Sequence, residues 1–253
     1  HYMSNVSLIT PTAKRSHYLP ALYDCICRQR EVNWEWLVFD DAPTPNAWMI
    51  AAAQTDPRIT YMHSSVPLSI GEKRNQMIER AQYDYIAHFD DDDHYAPDYL
   101  RVMLGHLVQN QADLIKLSAF YLYAPKQDFF GYMDLTAKTG HHYVLNREEI
   151  EHVIFHDKMQ IGADFIVFYG FSYVYRRAAA VQHPFEPVSF CEDEYFAKAL
   201  LKDQCAVITT PDTQGLCLHL VHGGSSSRCF SRYFLPNHLM PVIFPNYREV
   251  IAP

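Results

Sequence analysis

The chain has no excess of basic residues: 21 Lys and Arg stand against 29 Asp and Glu, a formal charge of −8. Nucleic-acid backbones are held by clustered cations, so the lack of a basic stripe argues against DNA or RNA as a partner. No segment approaches the ~18 uninterrupted apolar residues that a membrane span requires. No n-region followed by an apolar h-region opens the chain either, and His1-Tyr2-Met3 reads as an expression remnant. The six cysteines, Cys25, Cys27, Cys191, Cys205, Cys217 and Cys229, form no CxxC pair. Most sit in or beside apolar segments, as expected of reduced thiols in a cytoplasmic protein rather than of disulfides or zinc ligands. No internal repeat, low-complexity tract or linker divides the 253 residues, of which 49% are hydrophobic. One large α/β domain over 1–253 is therefore expected.

What the chain does have is an apolar run that stops at four consecutive carboxylates, Tyr85-Ile86-Ala87-His88-Phe89-Asp90-Asp91-Asp92-Asp93. The length and composition of 84–89 suit a strand buried on most of its surface, as in a parallel sheet with helices on both faces. The aspartates then fall at its carboxyl end, the edge at which open α/β sheets bind ligands. Adjacent anions repel, and keeping them ionised together calls for a compensating cation. Hard oxygen ligands point to Mg²⁺ or Mn²⁺ with a phosphate as co-ligand. The competing reading is a solvated acidic turn. A helix-loop-helix calcium site is excluded, because Tyr95 and Arg101 stand where that loop needs glycine and glutamate.

The elements leading to this strand alternate. Val6-Ser7-Leu8-Ile9-Thr10 reads as a first strand ended by Pro11-Thr12, and Ser16 as the cap of a helix over 18–28. A second strand over 34–39 also ends in carboxylates, Asp40-Asp41, and is followed by a helix over 45–54, a strand over 58–63 and a helix over 72–81. This is the βαβ rhythm of a Rossmann-like half. A helix to about 109 and a strand over 113–123 come next, while 124–159 is mixed, aromatic and without assignable elements. Apolar segments over 164–175 surround Gly170 and Phe171. A helix over 192–201 and strands over 205–209 and 216–221 follow, the last running into His222-Gly223-Gly224-Ser225-Ser226-Ser227. Eighteen tyrosines and fifteen phenylalanines supply core and also faces on which sugars and bases stack.

Several of these features recur in one order. Pro11-Thr12 after the first strand, Asp40-Asp41 after the second, Gly71 with Arg74-Asn75 before the acidic strand, the Asp90 to Asp93 run, Cys191-Glu192-Asp193 opening a helix and His222 before a serine run together resemble the family 2 glycosyltransferases. The resemblance covers nearly the whole chain. It implies an α/β GT-A fold with a mixed, mainly parallel central sheet flanked by helices. A nucleotide-sugar-binding half would occupy about 4–123, an acceptor-binding and catalytic half about 124–235, and a tail 236–253.

The resemblance also implies roles. Pro11, Thr12, Asp40, Asp41, Gly71, Arg74, Asp90 and Asp91 fall on the donor side, with Asp40 or Asp41 accepting from the base edge, Asp90 on the ribose or donor sugar and Arg74 near the diphosphate. The other reading of Asp40 and Asp41 is a helix cap, and that of Arg74 a surface ion pair with Glu72 or Glu79. Asp92 would be the main metal ligand, with Asp93 and His222 completing the set. His219, earlier on the same strand, is the rival of His222. Some of the four aspartates are expected to be simply exposed, Asp91 first among them. Asp193 would be the general base, Glu192 would position the acceptor, and Gly170 and Phe171 would line its site. Acidic residues also suit a first helical turn on their own account, and a glycine usually stands where this chain has Cys191.

The expected activity is inverting transfer from a nucleoside-diphosphate sugar, UDP-linked, to a hydroxyl of a glycan or lipid-linked glycan, in the cytoplasm or at the inner face of a membrane. Two alternatives remain. A sugar-phosphate nucleotidyltransferase would need a Gly-rich triphosphate loop, which Pro11-Thr12-Ala13-Lys14-Arg15 does not supply. A non-catalytic nucleotide-sugar-binding domain would keep the fold without turnover.

Overall fold

The computed structural model describes residues 3–145, 149–156, 166–222 and 229–251. β1 (Ser4–Thr12), β2 (Val32–Asp40) and β3 (Ile59–His63) alternate with α1 (Leu19–Cys27), α2 (Ala47–Thr55) and α3 (Ile70–Arg80), and β4 (Tyr85–His88) follows. These strands are parallel and lie in the order β4-β1-β2-β3. The chain steps outward from β1 to β3, then returns to lay β4 on the other side of β1. The crevice at the carboxyl ends of β1 and β4 is therefore the topological switch point, where sheets of this kind bind ligands.

Alternation along the strands fills two cores. Val6 and Leu8 of β1 pack with Trp36, α1 and later helices on one face, whereas Ile9, Leu37 and Ile86 meet Met77 and Ile78 of α3 on the other. Both faces are covered, as parallel sheets require. The Thr10 hydroxyl ties the three central strands, accepting from Trp36 Nε1 at 2.9 Å and donating to the Phe89 carbonyl at 2.5 Å.

Beyond the acidic turn come β5 (His94–Tyr95), α4 (Tyr99–Gln109), β6 (Leu114–Ala124), β7 (Phe129–Asp134), β8 (Gly140–Leu145) and β9 (Ile150–Phe155). Then follow β10 (Val174–Arg176), α5 (Arg177–Gln182), α6 (Glu192–Lys202), β11 (Val207–Pro211), β12 (Cys217–Leu220), β13 (Cys229–Ser231), β14 (Tyr233–Leu235) and α7 (Met240–Ile243). β10 inserts antiparallel between β4 and β6, and β11 and β12 add parallel to β6. Strands β8, β9 and β13 form a separate antiparallel sheet. The architecture is thus a mixed, mostly parallel central sheet flanked by helices. No described helix is long and apolar enough to cross a membrane.

Four local expectations are corrected. Pro11 does not end β1, which continues to Thr12. Pairing with β4 stops at Ile9, so Pro11 has one strand neighbour only, and proline is tolerated on such an edge. Ser16 opens a 3₁₀ turn, Ser16–Tyr18, and caps nothing, the α1 turn being started by Pro20 instead. Neither Asp40 nor Asp41 caps α2: the Asn46 side chain does, accepting from the Met49 amide at 2.8 Å. The region left unassigned contains β7, β8 and β9: β7 pairs back on β6 and β9 on β8 as hairpins, while the outer neighbours of β7 and β8, β14 and β13, come from about 85–100 residues on.

α3 begins with a capping box, Ser69 and Glu72 each bonding the other's amide. In its first turn Gly71 meets the 186–188 segment so closely that an added Cβ would sit 1.7 Å from the Glu186 carbonyl oxygen. The Gly71 amide also donates to the Val188 carbonyl at 3.0 Å. Gly71→Ala should lower stability by about 1–3 kcal/mol, the usual cost of overpacking. Urea denaturation measures it, and an unchanged midpoint would show that this approach is looser than drawn.

Candidate active site

Register brings the ends of β1 and β4 together. Ile9 stands opposite His88, and three residues on, Thr12 Oγ1 donates to Asp91 Oδ2 at 3.0 Å. Arg15 forks over the next two carboxylates, with NH1 2.6 Å from Asp92 Oδ2 and NH2 3.1 Å from Asp91 Oδ1. From the far side His222 Nε2 lies 2.7 Å from Asp92 Oδ2. Asp93 Oδ1 accepts from His219 Nδ1 at 2.9 Å and from the Leu220 amide at 3.1 Å. The expectation that Asp91 is exposed is wrong: it is 2% exposed, sealed by Thr12 and Arg15. Asp90 is the open one, its side chain 28% exposed.

Electrostatics separate the four. Desolvation raises the pKa of Asp90, Asp91 and Asp93, with neighbouring carboxylates adding to it. Asp92 is also desolvated, yet the His222 hydrogen bond and the Arg15 charge hold it below the ordinary carboxylate value. Of the four, Asp92 has the surroundings that most favour the carboxylate form. Burial opposes charge on His219, but Asp93 beside it keeps that imidazole well above its usual pKa, so Asp93 and His219 form an ion pair tying β12 to the acidic turn. Asp93 Oδ2 is left buried without a hydrogen-bond partner among the described residues.

A cleft of about 500 Å³ opens from this edge towards α6 and is lined by Pro11, Arg15, Arg74, Asp90, Gly170 and Asp193, among others. Asp193 stands in the first turn of α6 and accepts two amide hydrogens, Gly170 N–H at 2.7 Å on Oδ2 and Glu194 N–H at 2.8 Å on Oδ1. A Cβ on residue 170 would come within 2.5 Å of Asp193 Oδ2, so the approach requires glycine. Phe171, the next residue, stacks on His219 with ring centroids 4.5 Å apart.

Arg74 crosses between the two walls. It is 4% exposed, with NH2 3.4 Å from Glu192 Oε1 and 3.9 Å from Asp90 Oδ1. The surface pairing with Glu72 or Glu79 is thereby excluded. Its Nε and NH1 find no hydrogen-bond partner among the described residues, and unsatisfied buried donors of this kind suit an anionic ligand.

Four contributors were not read from the sequence. Arg15 follows the conspicuous Pro11-Thr12 pair and was the available signal. The Tyr95 hydroxyl receives the Asp90 amide at 3.1 Å and donates to the Phe171 carbonyl at 2.8 Å, locking the acidic turn to the opposite wall. His88 lies beneath, its Nδ1–H donating to the Gly170 carbonyl at 2.8 Å. Burial, with Arg74 near, holds it well below its usual pKa, so it is neutral and structural. Lys116 of β6, fully buried, donates to the Ile166 and Phe168 carbonyls and steadies the segment before Gly170. Nothing in the sequence distinguished these three from core residues.

Asp40 and Asp41 remain at the end of β2, outside this cleft. Asp40 accepts from the Ala42 amide at 2.9 Å and from the Tyr61 hydroxyl at 2.5 Å. Asp41 bonds Lys73 Nζ at 2.9 Å and the Leu68 amide at 2.8 Å. Both are thus already engaged. Gly71 likewise faces the 186–188 segment rather than the cleft. The serine run after His222, within 223–228, lies outside the described residues.

Among the described residues no group of three or more His, Cys, Asp or Glu side chains is arranged to hold a metal unaided. The donors that do converge, Asp92 Oδ2 and His222 Nε2, with the orphaned Asp93 Oδ2 nearby, fit a different kind of site. Mg²⁺ and Mn²⁺ commonly take one or two protein ligands and complete their shells with water and substrate phosphates.

This fold is that of GT-A glycosyltransferases. TarS of S. aureus, crystallised as residues 1–349 with UDP-GlcNAc, superposes with a TM-score of 0.62 at 15% identity, over 87% of this chain and 60% of that one. The mannosyltransferase PcManGT of Pyrobaculum calidifontis, bound to GDP-Man and Mn²⁺, gives 0.61 at 16% identity, over 86% and 57%. A sequence model of glycosyl transferase family 2 matches residues 7–177, and the chain belongs to that family. Relatives include WcaA of Escherichia coli (strain K12), a protein assigned to colanic acid biosynthesis as a glycosyl transferase, 36% identical over 108 residues. Another is the UDP-Glc:alpha-D-GlcNAc-diphosphoundecaprenol beta-1,3-glucosyltransferase WfgD of Escherichia coli, 27% identical over 105 residues. These matches cover 41% and 42% of this chain and only 38% and 42% of the relatives.

The residue before Glu192 carries a further test. Cys191 adopts φ 64°, ψ 16°, the left-handed region that glycine occupies freely. The substitution of cysteine therefore keeps the backbone turn and strains it instead. Removing that strain is worth about 1–2 kcal/mol, against about 0.5–1 kcal/mol of added chain entropy for glycine. Cys191→Gly should leave stability unchanged or raise it by up to ~1 kcal/mol, whereas Cys191→Val should lower it. Thermal unfolding of both variants decides; loss of stability in the glycine variant would mean that the thiol itself is needed.

Proposed function

We propose that the protein transfers a sugar, with inversion, from a nucleoside-diphosphate sugar to a hydroxyl of a glycan or lipid-linked glycan, with UDP as the leaving group. The carrying observation is that Asp193, in the first turn of α6, lines one cleft with Arg74 and Asp90 at the carboxyl edge of the sheet. Inverting displacement needs one base opposite one leaving group. The UDP-GlcNAc and GDP-Man complexes of proteins with this fold, and the UDP-Glc donor in the name of WfgD, support a nucleotide-sugar donor.

In this reading the base lies at the ends of β1 and β2 near Asp40 and Asp41, the ribose or donor sugar near Asp90, and the diphosphate across Arg74, whose Nε and NH1 are unpartnered donors. Asp92 and His222 would hold Mn²⁺ or Mg²⁺, which supplies charge neutralisation to the departing diphosphate when bound. Asp193 takes the acceptor proton. Its two amide hydrogen bonds fix the carboxylate while leaving each oxygen a lone pair for a hydroxyl. Glu192, held by Arg74, couples the acceptor wall to the donor wall. Gly170 and Phe171 shape the acceptor side. In this reading the protein would meet its donor in the cytoplasm, and a lipid-linked acceptor at the inner face of a membrane.

The test is transfer kinetics of Asp193→Asn. Asparagine keeps the shape and accepts one of the two amide bonds, but cannot take a proton. General-base assistance is worth ~10²–10⁴-fold, so kcat should fall by about that range while UDP affinity stays as in the wild type. NMR of the wild-type product should show the anomeric configuration opposite to that of the donor. Full activity in the variant removes Asp193 as base, and a retained configuration refutes the single displacement.

A further inference from the structure

The feature that the proposed reaction does not explain is Arg15. Its guanidinium occupies the place where a cation would bind, NH1 at 2.6 Å and NH2 at 3.1 Å from Asp92 and Asp91. Asp92 Oδ2 already receives two donors, Arg15 NH1 and His222 Nε2 at 2.7 Å, which uses both lone pairs of a carboxylate oxygen. A metal ion at that oxygen must therefore displace one of them. An imidazole has a ring nitrogen that can serve as a metal ligand, so His222 can stay; a guanidinium has no lone pair and can only leave. The Arg15 side chain is about one-third exposed and lines the same cleft as Arg74 and Asp90, so it has open space to enter.

We infer that Arg15 is a resident counter-cation: it holds Asp91 and Asp92 in place while the site is empty, is displaced by the divalent ion, and then forks onto the donor's diphosphate. The inference rests on the reading of the site given above. A planar, bidentate cation suits phosphate oxygens as well as it suits the carboxylates it leaves. Arg15 thus competes with the metal in the absence of nucleotide and cooperates with it in its presence, so a single substitution should move the two affinities in opposite directions.

The experiment measures Mn²⁺ binding to the nucleotide-free protein by electron paramagnetic resonance, and UDP binding at saturating Mn²⁺ by calorimetry, on the full chain. Arg15→Gln should bind Mn²⁺ roughly tenfold or more tighter and UDP roughly tenfold or more weaker, as expected for losing a charge-assisted hydrogen bond at each step. Lys14→Gln removes the same charge from the neighbouring, exposed residue and should change neither affinity by more than about twofold. Should Arg15→Gln fail to fold, Arg15→Lys carries the test. A lysine makes one point contact where arginine makes a fork, so Mn²⁺ should again tighten and UDP weaken, by less. Unchanged or weaker Mn²⁺ binding in the Arg15 variants, a gain equalled by Lys14→Gln, or unaltered UDP affinity overturns the inference. Wild-type protein that binds neither Mn²⁺ nor UDP would overturn the reading of the site and this inference with it. Wild-type binding of both, with Arg15 variants unaltered, would confine the failure to Arg15.

Discussion

Two unit charges 4 Å apart repel by about 4 kcal/mol at the effective dielectric of a protein's edge, and four carboxylates on consecutive residues face that repulsion several times over. The end of β4 holds them because compensating groups arrive from segments remote in sequence. Thr12 and Arg15 come from the end of β1, Arg74 from α3, His219 and the Leu220 amide from β12, and His222 from just beyond it. The cost of concentrating the anions is met by this convergence, which explains why β1 lies beside β4 and why β12 must return to the acidic turn. The compensation is uneven: the His222 hydrogen bond and the Arg15 charge hold Asp92 below the ordinary carboxylate pKa, whereas burial raises those of Asp91 and Asp93.

The opposite wall is held to the same turn by neutral hydrogen bonds. Tyr95 joins the Asp90 amide to the Phe171 carbonyl, and His88 joins β4 to the Gly170 carbonyl. Gly170 in turn gives its amide to Asp193, and only glycine allows that approach. Hydrogen bonds therefore link the two walls of the cleft, so that Asp193 is positioned through the same turn that carries the carboxylates. Reacting groups held in this way need little reorganisation in the transition state.

Much of the parallel sheet and its flanking helices was legible from sequence because each of the signals is local. The alternation of short apolar strands with helices, the carboxylates at strand ends and the acidic triplet opening α6 depend on neighbours in sequence. Arg74 and Asp193, singled out through the family resemblance, line the same cleft, although the burial of Arg74 between Asp90 and Glu192 was not foreseen. The hidden features depend on contacts between distant residues. Asp91 looked like the spare aspartate, and Thr12, 79 residues away, buries it. Lys116 and His88 sit in apolar strands and look like core exceptions until their carbonyl partners at 166–170 are seen. In β7 to β9 aromatic residues stand on both sheets and touch across them, as Phe129 does Tyr143, so no simple alternation marks these strands.

The central claim is that the carboxyl end of β4 binds a nucleoside diphosphate through a divalent cation. It is tested most directly by thermal unfolding of the wild-type protein with UDP and Mn²⁺, with UDP and EDTA, and with uridine and Mn²⁺. A ligand at one hundred times its Kd stabilises the native state by about 2.7 kcal/mol, which for a chain of this size corresponds to a rise in Tm of roughly 5–10 °C. That rise is predicted for UDP with Mn²⁺ alone, because a bare diphosphate beside the carboxylates is repelled and uridine has no phosphates for the ion to bridge. An equal rise with UDP in EDTA, or with uridine, would contradict the claim.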